Sequence, residues 1–246
     1  DCGKTYQADL ASGLGGGCPH CLARMLEQEA EQDDGNPSPP LAAGDTLGGM
    51  EILAPLGRGG MGVVYKARQP ELNRVVAIKV IDAKLAGVPE FTQRFEREAR
   101  ALAVLNHPNV VQVFDYGHED GLCYLVMEWV DGTSLREILA VGHLSADDAL
   151  RYVPQICDAL EYAHAQGVVH RDIKPENILI DREGLLKIAD FGIARMRGDE
   201  QTGQEFVTQA DQKMGTPQYM APEQQRHTGR VDRRADLYSL GVVFYE

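Results

Sequence analysis

The chain has 246 residues, of which 24 are Lys or Arg and 37 are Asp or Glu, so its formal net charge is -13. This acidic balance disfavours nucleic acid and anionic membrane surfaces as partners. Hydrophobic residues make up 43% and charged residues 25%, which is typical of a soluble globular protein and excludes collagen-like and wholly disordered chains. We expect this portion to be cytoplasmic and free of disulfides, since no apolar run approaches the roughly 18 residues of a spanning helix and no signal-peptide pattern opens the chain.

Three of the five cysteines lie in the first 26 residues. Cys18 and Cys21 form a C-x-x-C pair, and fifteen residues separate Cys18 from Cys2. These three cysteines have the spacing of three of the four ligands of a zinc ribbon, and a fourth thiolate three positions before Cys2 would complete the site. We predict a structural Zn²⁺ knuckle over residues 1–26. The alternatives are a flexible cysteine-bearing tail and a redox C-x-x-C, which lacks the βαβ surroundings that it needs.

Residues 27–47 are acidic and Pro-rich without hydrophobic periodicity, which predicts a linker. Short strand-like apolar runs follow and predict a sheet: Met50 to Leu56, Val63 to Ala67, Val75 to Ile81, Val110 to Tyr116 and Leu122 to Val130. One helix interrupts these runs, from Glu90 to Leu105, with apolar residues three or four apart. The sheet and its helix form one predicted unit, residues 48–130.

Residues 131–246 carry mainly helical patterns. Ser145 and Asp148 predict a capping box. Apolar residues then repeat with the helical period: Leu150, Val153, Cys157, Leu160 and Ala163. We expect Cys123 and Cys157 to be small core residues. The predicted fold is α+β, with a sheet first and helices after, and the chain stops inside a helix that begins near Asp236, as a piece of a longer protein would.

The run Gly57-Arg58-Gly59-Gly60-Met61-Gly62 has the spacing G-x-G-x-x-G. Alone this is a weak signal, because dinucleotide-binding folds share it, but their loop runs into a helix. Here the next residues, Val63 to Ala67, predict a strand. The loop therefore joins two antiparallel strands and can fold over a triphosphate, since glycines permit close approach of the backbone.

Lys79 lies in the middle of the apolar strand Val76-Ala77-Ile78-Lys79. Lysine is seldom buried without a partner, and the obvious carboxylate on the predicted helix is Glu98. We predict that Lys79 pairs with Glu98. The alternative is a lysine that extends from a strand edge to solvent.

Three further motifs lie in the second unit: His170-Arg171-Asp172-Ile173-Lys174-Pro175-Glu176-Asn177, Asp190-Phe191-Gly192 and Ala221-Pro222-Glu223. With the glycine loop and Lys79, they resemble in order and spacing a eukaryotic-like (Hanks-type) serine/threonine protein kinase. The resemblance covers the chain from Gly48 to its end. It implies a bilobal protein-kinase fold, with an antiparallel β N-lobe that carries one helix and a mainly helical, here incomplete, C-lobe. The knuckle and acidic linker are similar to an arrangement found in bacterial kinases of this type.

The resemblance implies transfer of the γ-phosphoryl group of ATP to Ser or Thr hydroxyls of proteins, with Mg²⁺ as cofactor. Asp172 would accept the proton of the hydroxyl, and Lys174 would place positive charge on the γ-phosphate. Lys79 would contact the α- and β-phosphates. Asn177 and Asp190 would be the Mg²⁺ ligands, because both supply hard oxygen atoms.

The resemblance also maps the substrate pockets. Thr216, ahead of Ala221-Pro222-Glu223, would hydrogen-bond Asp172 and Lys174 and shape the acceptor pocket; the alternative is a turn threonine. The adenine pocket would be formed by Val64, Ala77, Leu179, Met127 and the backbone of Glu128 and Val130. The apolar side chains among these residues would also pack in the core.

Regulation is implied in part. Arg171 would pair with a phosphorylated activation loop. We predict Thr208 as the phosphosite and Thr202 as the second choice, against a solvated loop threonine, and a dimer would serve autophosphorylation in trans. We expect His170 to pack under Phe191.

Three other classes compete with an active protein kinase. A pseudokinase scaffold normally lacks at least one of Lys79, Asp172, Asn177 and Asp190, and all four are present. A small-molecule phosphotransferase would lack the motif around Thr216. A zinc-ribbon nucleic-acid binder would need a basic face that the first 26 residues do not offer.

Overall fold

The computed structural model describes residues 41–59, 62–81, 89–142, 144–191, 217–225 and 231–246. The N-lobe is built on a six-stranded antiparallel sheet with the order β1-β2-β3-β4-β6-β5. Its strands are β1 (Thr46–Leu47), β2 (Met50–Gly59), β3 (Gly62–Gln69), β4 (Arg74–Ile81), β5 (Val113–Glu119) and β6 (Leu122–Glu128). Helix α1 (Pro89–Ala103) packs on this sheet through residues that are 4% exposed or less: Phe91, Phe95, Ala99 and Leu102.

The C-lobe combines helices with a small antiparallel sheet of order β7-β8-β9. Its elements are β7 (Gly132–Ser134), α2 (Leu135–Val141), α3 (Ala146–Ala165), β8 (Ile178–Asp181), β9 (Leu186–Ile188), α4 (Pro222–Gln225) and α5 (Arg233–Tyr245). Short 3-10 turns occur at Pro175–Asn177 and Pro217–Tyr219. The predicted α+β bilobal fold is confirmed. Among the helices in these ranges, none has the length and apolar character that a membrane crossing requires.

Strand alternation gives the large sheet two different faces. Cross-strand pairing sets Val64 opposite Lys79 and Ala77 opposite Met127, so these four residues share the face toward the C-lobe. The other face buries a separate apolar cluster that includes Tyr65, Ile78 and Val126.

The last part of the predicted linker is folded onto that outer cluster. Leu47 is 3% exposed, and β1 pairs with β2. Gly44 donates its N–H to the Ile52 carbonyl (2.9 Å), and the N–H of Leu41 reaches the Tyr65 hydroxyl (3.3 Å). Residues 41–47 therefore belong to the folded N-lobe, although composition alone assigns them to the linker.

Helix α3 begins after Ser145 as predicted, but only half of the capping box forms there. The Asp148 N–H donates to Ser145 Oγ (3.1 Å), whereas the Asp148 carboxylate bonds the Ser145 hydroxyl (2.6 Å). The complete capping box is at α2, where Ser134 and Glu137 exchange both bonds. Glutamate is long enough to reach back to the N-cap amide, and aspartate is one methylene shorter.

The predicted buried face of α3 is partly wrong. The residues that are buried are Tyr152, Ile156, Ala159, Leu160 and Ala163. Leu150 is 72% exposed and Cys157 is also exposed, so the core role predicted for Cys157 is wrong, while Cys123 is buried as expected. Both sets keep a helical spacing, and packing of α3 against β9 and α5 decides which face is covered.

Candidate active site

The loop between α3 and β8 brings three predicted catalytic residues together. The Asp172 carboxylate is 2.9 Å from Lys174 Nζ and accepts a longer contact from Asn177 Nδ2 (3.3 Å). Asn177 Nδ2 also donates to the Asp172 carbonyl (2.7 Å). The orientation of the Asp172 side chain is thus fixed by an ammonium and an amide from its own loop.

His170 supports this loop from below, as predicted. It is fully buried, and its ring lies 4.6 Å from that of Phe191, centroid to centroid. Nε2 contacts the Ala189 carbonyl (2.8 Å), and Nδ1 accepts the N–H of Asp172 (3.2 Å). The tautomer with its proton on Nε2 satisfies both contacts.

A buried carboxylate on α5 holds the start of the loop. Asp236 is 0% exposed and accepts the N–H groups of His170 (2.9 Å) and Arg171 (2.7 Å), while His164 Nε2 lies 2.7 Å away. Burial raises the pKa of the Asp236 carboxyl, but the hydrogen bond from His164 and the two backbone N–H groups outweigh burial and lower it below its usual value. Sequence reasoning missed this residue, although a carboxylate within an apolar helix was a usable signal.

Lys79 and Asp190 meet across the cleft between the lobes. Lys79 is 8% exposed, and its Nζ donates to Asp190 Oδ2 at 2.7 Å. Asp190 adopts a φ of 64°, in the left-handed region. Burial raises the pKa of the Asp190 carboxyl, but Lys79 above all, with Lys174, lowers it below its usual value.

The predicted pair between Lys79 and Glu98 is not the contact that forms. Glu98 is buried, and its Oε1 accepts two contacts from the Arg97 guanidinium, at 3.0 and 3.1 Å. Glu98 and Asp190 belong to different lobes, and the sequence of the strand alone does not indicate which of these two carboxylates bonds Lys79.

The glycine loop has the predicted arrangement of strand, loop and strand. Arg58 pairs with Val63 and Gly59 with Gly62 across β2 and β3. Gly62 has a φ of 142°, and a Cβ atom there would lie 1.8 Å from the Val80 carbonyl oxygen, so no other residue fits. At Gly57 and Gly59 a Cβ would meet open space, which leaves the backbone accessible to a ligand.

The hinge connects the lobes at the back of the cleft. Ala77 and Met127 are buried, whereas Val130 and Leu179 on the C-lobe side are half-buried. The Glu128 carboxylate turns away from the cleft toward Lys187, with both oxygen atoms 2.9 Å from Nζ. The Glu128 side chain is thereby bonded to β9, a contact that sequence reasoning missed.

Several predicted site residues lie outside the described residues, namely Gly60, Met61, Thr202, Thr208, Thr216, Cys2, Cys18 and Cys21. Within the ranges that the structure describes, no group of three or more His, Cys, Asp or Glu side chains is placed to hold a metal ion. The zinc knuckle therefore stays a prediction.

A glycine loop between two paired strands, a buried lysine that bonds an aspartate, and a loop that sets Asp172 beside Lys174 and Asn177 are the features that protein kinases combine for phosphoryl transfer. The family described as protein kinase domain matches residues 50–246, and the chain belongs to this family.

The relatives and solved structures agree with this assignment. A probable serine/threonine-protein kinase of Streptomyces coelicolor is 48% identical over 206 residues, which cover 81% of this chain and 30% of the relative. The serine/threonine-protein kinase PknB of Mycobacterium leprae is 46% identical over 78% of this chain and 31% of its own length. The crystal structure of the PknI kinase domain of Mycobacterium tuberculosis matches with a TM-score of 0.66 and 33% identity, covering 82% of this chain and 75% of that one. The chain spans about three tenths of the length of the curated relatives that it matches.

Proposed function

We propose that this domain transfers the γ-phosphoryl group of ATP to Ser or Thr hydroxyls of protein substrates. The observation that carries the proposal is the fixed Asp172 carboxylate, 2.9 Å from the Lys174 ammonium, below the cleft that the Lys79 and Asp190 pair spans. Such chemistry depends mainly on positioning and charge stabilisation, and these four side chains supply both.

ATP would enter with its adenine between the lobes. Val64 and Ala77 would cover one face of the base and Leu179 the other, with Met127 behind. The backbone of the hinge at Glu128 and Val130 would supply hydrogen bonds to the base, and the ion pair of Glu128 with Lys187 keeps the Glu128 side chain out of the pocket. The open backbone of Gly57 and Gly59 supports a role for the loop, with Arg58, Gly60, Met61 and Gly62, above the phosphates.

Asn177 and Asp190 would hold Mg²⁺. The Asn177 side chain donates through Nδ2 to Asp172, which leaves its oxygen for a cation, and the lowered pKa keeps the Asp190 carboxyl ionised. Carboxylate and amide oxygen atoms fit a hard cation. When bound, Mg²⁺ neutralises charge on the phosphates. Lys79, already beside Asp190, would bind the α- and β-phosphates next to that cation.

Asp172 would orient the substrate hydroxyl and accept its proton. Its contact with Lys174 brings positive charge to the side of the carboxylate where the γ-phosphoryl group would transfer. Thr216 would complete the acceptor pocket by bonding both residues.

We also propose the regulatory and N-terminal roles expected from the sequence. Phosphorylated Thr208, or else Thr202, would pair with Arg171, through autophosphorylation between two copies of the chain. Cys2, Cys18 and Cys21 would contribute to a structural zinc site in a cytoplasmic protein of bacterial type.

Incubation of the full-length protein with Mg-ATP and a mixed Ser/Thr peptide library tests the main proposal. Transfer to Ser and Thr should fall at least about 100-fold in Asp172→Asn, the scale of general-base catalysis. The exposed Asp158 on α3 provides a matched control, and Asp158→Asn should keep wild-type transfer. ATP binding without transfer in folded wild-type protein would instead support a scaffold function.

A further inference from the structure

The residue before the proposed base has an unusual backbone conformation. Arg171 has a φ of 69°, in a region that non-glycine residues rarely occupy. Its N–H is held by Asp236 at 2.7 Å. Such a conformation persists where the surrounding contacts determine it, and it often occurs at functional sites.

The carbonyl of Arg171 is held by a second element. Gln224, in α4, donates from Nε2 to this carbonyl oxygen at 2.8 Å. The carbonyl belongs to the same peptide unit as the N–H of Asp172, which donates to His170 Nδ1 at 3.2 Å. Because a peptide unit is planar, these two contacts fix the orientation of the plane from which Asp172 projects.

The Gln224 amide is itself oriented by its neighbours. Its Oε1 accepts the N–H of Ala221 at 3.1 Å, so its Nε2 is the atom that faces Arg171. Ala221 is fully buried and begins the Ala221-Pro222-Glu223 motif. The amide of Gln224 therefore connects the segment that ends at α4 to the peptide that carries Asp172.

We propose that Gln224 is a positioning residue for phosphoryl transfer, which holds the Arg171–Asp172 peptide so that the carboxylate of Asp172 points at the substrate hydroxyl. The inference rests on the proposed function of Asp172. Through Gln224, the orientation of the Asp172 carboxylate would depend on the position of α4, and thus on the segment that contains the predicted phosphosite.

The test replaces the amide of Gln224 and uses the same replacement at the neighbouring Gln225 as the control. Gln224→Glu keeps the acceptor for Ala221 but removes the donor to Arg171, and it sets a carboxylate against a carbonyl. Gln225 is exposed, and its Nε2 donates to the Met220 carbonyl (3.2 Å), so Gln225→Glu makes the same chemical change beside it. Gln224→Met, which lacks both polar atoms, serves if Gln224→Glu does not fold.

Each full-length variant is first phosphorylated by immobilised wild-type kinase, which is then removed, and equal phosphorylation is checked by mass spectrometry. Three quantities are compared: kcat for peptide phosphorylation, the Kd for Mg-ATP, and amide hydrogen exchange of the peptides that cover residues 168–178. We expect kcat to fall about 10- to 100-fold in the Gln224 variant, the scale of an ångström-sized misplacement of a reacting group. The Kd should change less than about twofold, exchange near Asp172 should rise, and Gln225→Glu should match wild type.

A kcat within twofold of wild type, or unchanged exchange near Asp172, would refute the role of Gln224. The role would also be refuted if the affinity for ATP fell in Gln224→Glu by as large a factor as kcat, or if kcat fell equally in Gln225→Glu. Either outcome would indicate a general disturbance of the fold. Absence of transfer in the wild type would contradict the proposed function separately, and the exchange data would still decide whether Gln224 holds the loop.

Discussion

Removal of the buried Asp236 carboxylate should destabilise the C-lobe by a predictable amount. The N–H groups of His170 and Arg171 bond different oxygen atoms of the carboxylate, and Asp236→Asn replaces one of these oxygens with an NH₂ donor, so one of the two N–H groups loses its partner. A buried donor without a partner costs about 1–3 kcal/mol. Asp236→Ala removes all three contacts and should cost about 3–5 kcal/mol, because several donors lose their partner at about 1–3 kcal/mol each.

Calorimetry of the full-length protein measures this cost as the Tm of the kinase domain. One kcal/mol lowers Tm by about 2–4 °C for a domain of this size, so a 2 kcal/mol loss in Asp236→Asn corresponds to about 4–8 °C. The exposed Asp158→Asn should leave Tm unchanged. A decrease below about 2 °C in Asp236→Ala, or an equal decrease in Asp158→Asn, would refute the reasoning.

The same carboxylate gives a pH dependence with a defined sign. Because the pKa of Asp236 is lower in the folded protein than in the unfolded chain, its contribution to stability is complete above the ordinary carboxyl pKa of about 3.9. The contribution decreases as the pH falls below that value toward the folded-state pKa. The difference in Tm between wild type and Asp236→Asn should therefore be constant near neutral pH and narrow in acid, and a difference that widens in acid would contradict the assignment.

Three further outcomes follow from single contacts. Ser134→Ala removes the N-cap of α2 and should cost about 1 kcal/mol in denaturant unfolding, and an unchanged midpoint would contradict the role of this cap. A thiol reagent should label the exposed Cys157 in the native protein but not Cys123, whose thiol pKa is raised by burial; equal labelling would show that this part of the N-lobe opens readily. Lys187→Met should raise the KM for ATP several-fold with little change in kcat, because it removes the ion pair of Glu128 and leaves this carboxylate with the longer contact from the Gln112 N–H (3.3 Å); a lower kcat at constant KM would contradict that role.

Local sequence patterns predicted the elements well where apolar residues form a clear run or a clear periodicity. The strands around Lys79 and the helix that starts near Glu90 are recognisable because their apolar residues follow a single period. Asp172, Lys174 and Asn177 are brought together by one short loop, so their proximity follows from their spacing. The contact of His170 with Phe191 was expected together with the family resemblance and not from spacing.

Patterns did not predict contacts between distant elements. Lys79 pairs with Asp190, 111 positions away, rather than with a carboxylate of the next helix. In α3, Cys157 and Ile156 both satisfy the helical period, and only packing against other elements shows which is covered. Asp236 and Gln224 bond backbone groups, so even where the residue itself stands out, as the carboxylate in the apolar helix does, the sequence does not reveal its partner.

Helix α5 holds two functional segments at once. Asp236 binds the N–H groups at the start of the catalytic loop, and Ser239 donates its hydroxyl to the Tyr219 carbonyl (2.7 Å) in the segment beyond Thr216. The two residues are three positions apart, which is an axial rise of about 4.5 Å on one helix face. Less than one turn of α5 therefore separates the residue that holds the loop of Arg171 from the residue that holds Tyr219. A single residue inserted between 236 and 239 would rotate one of these two side chains by about 100° relative to the other and would uncouple the two segments.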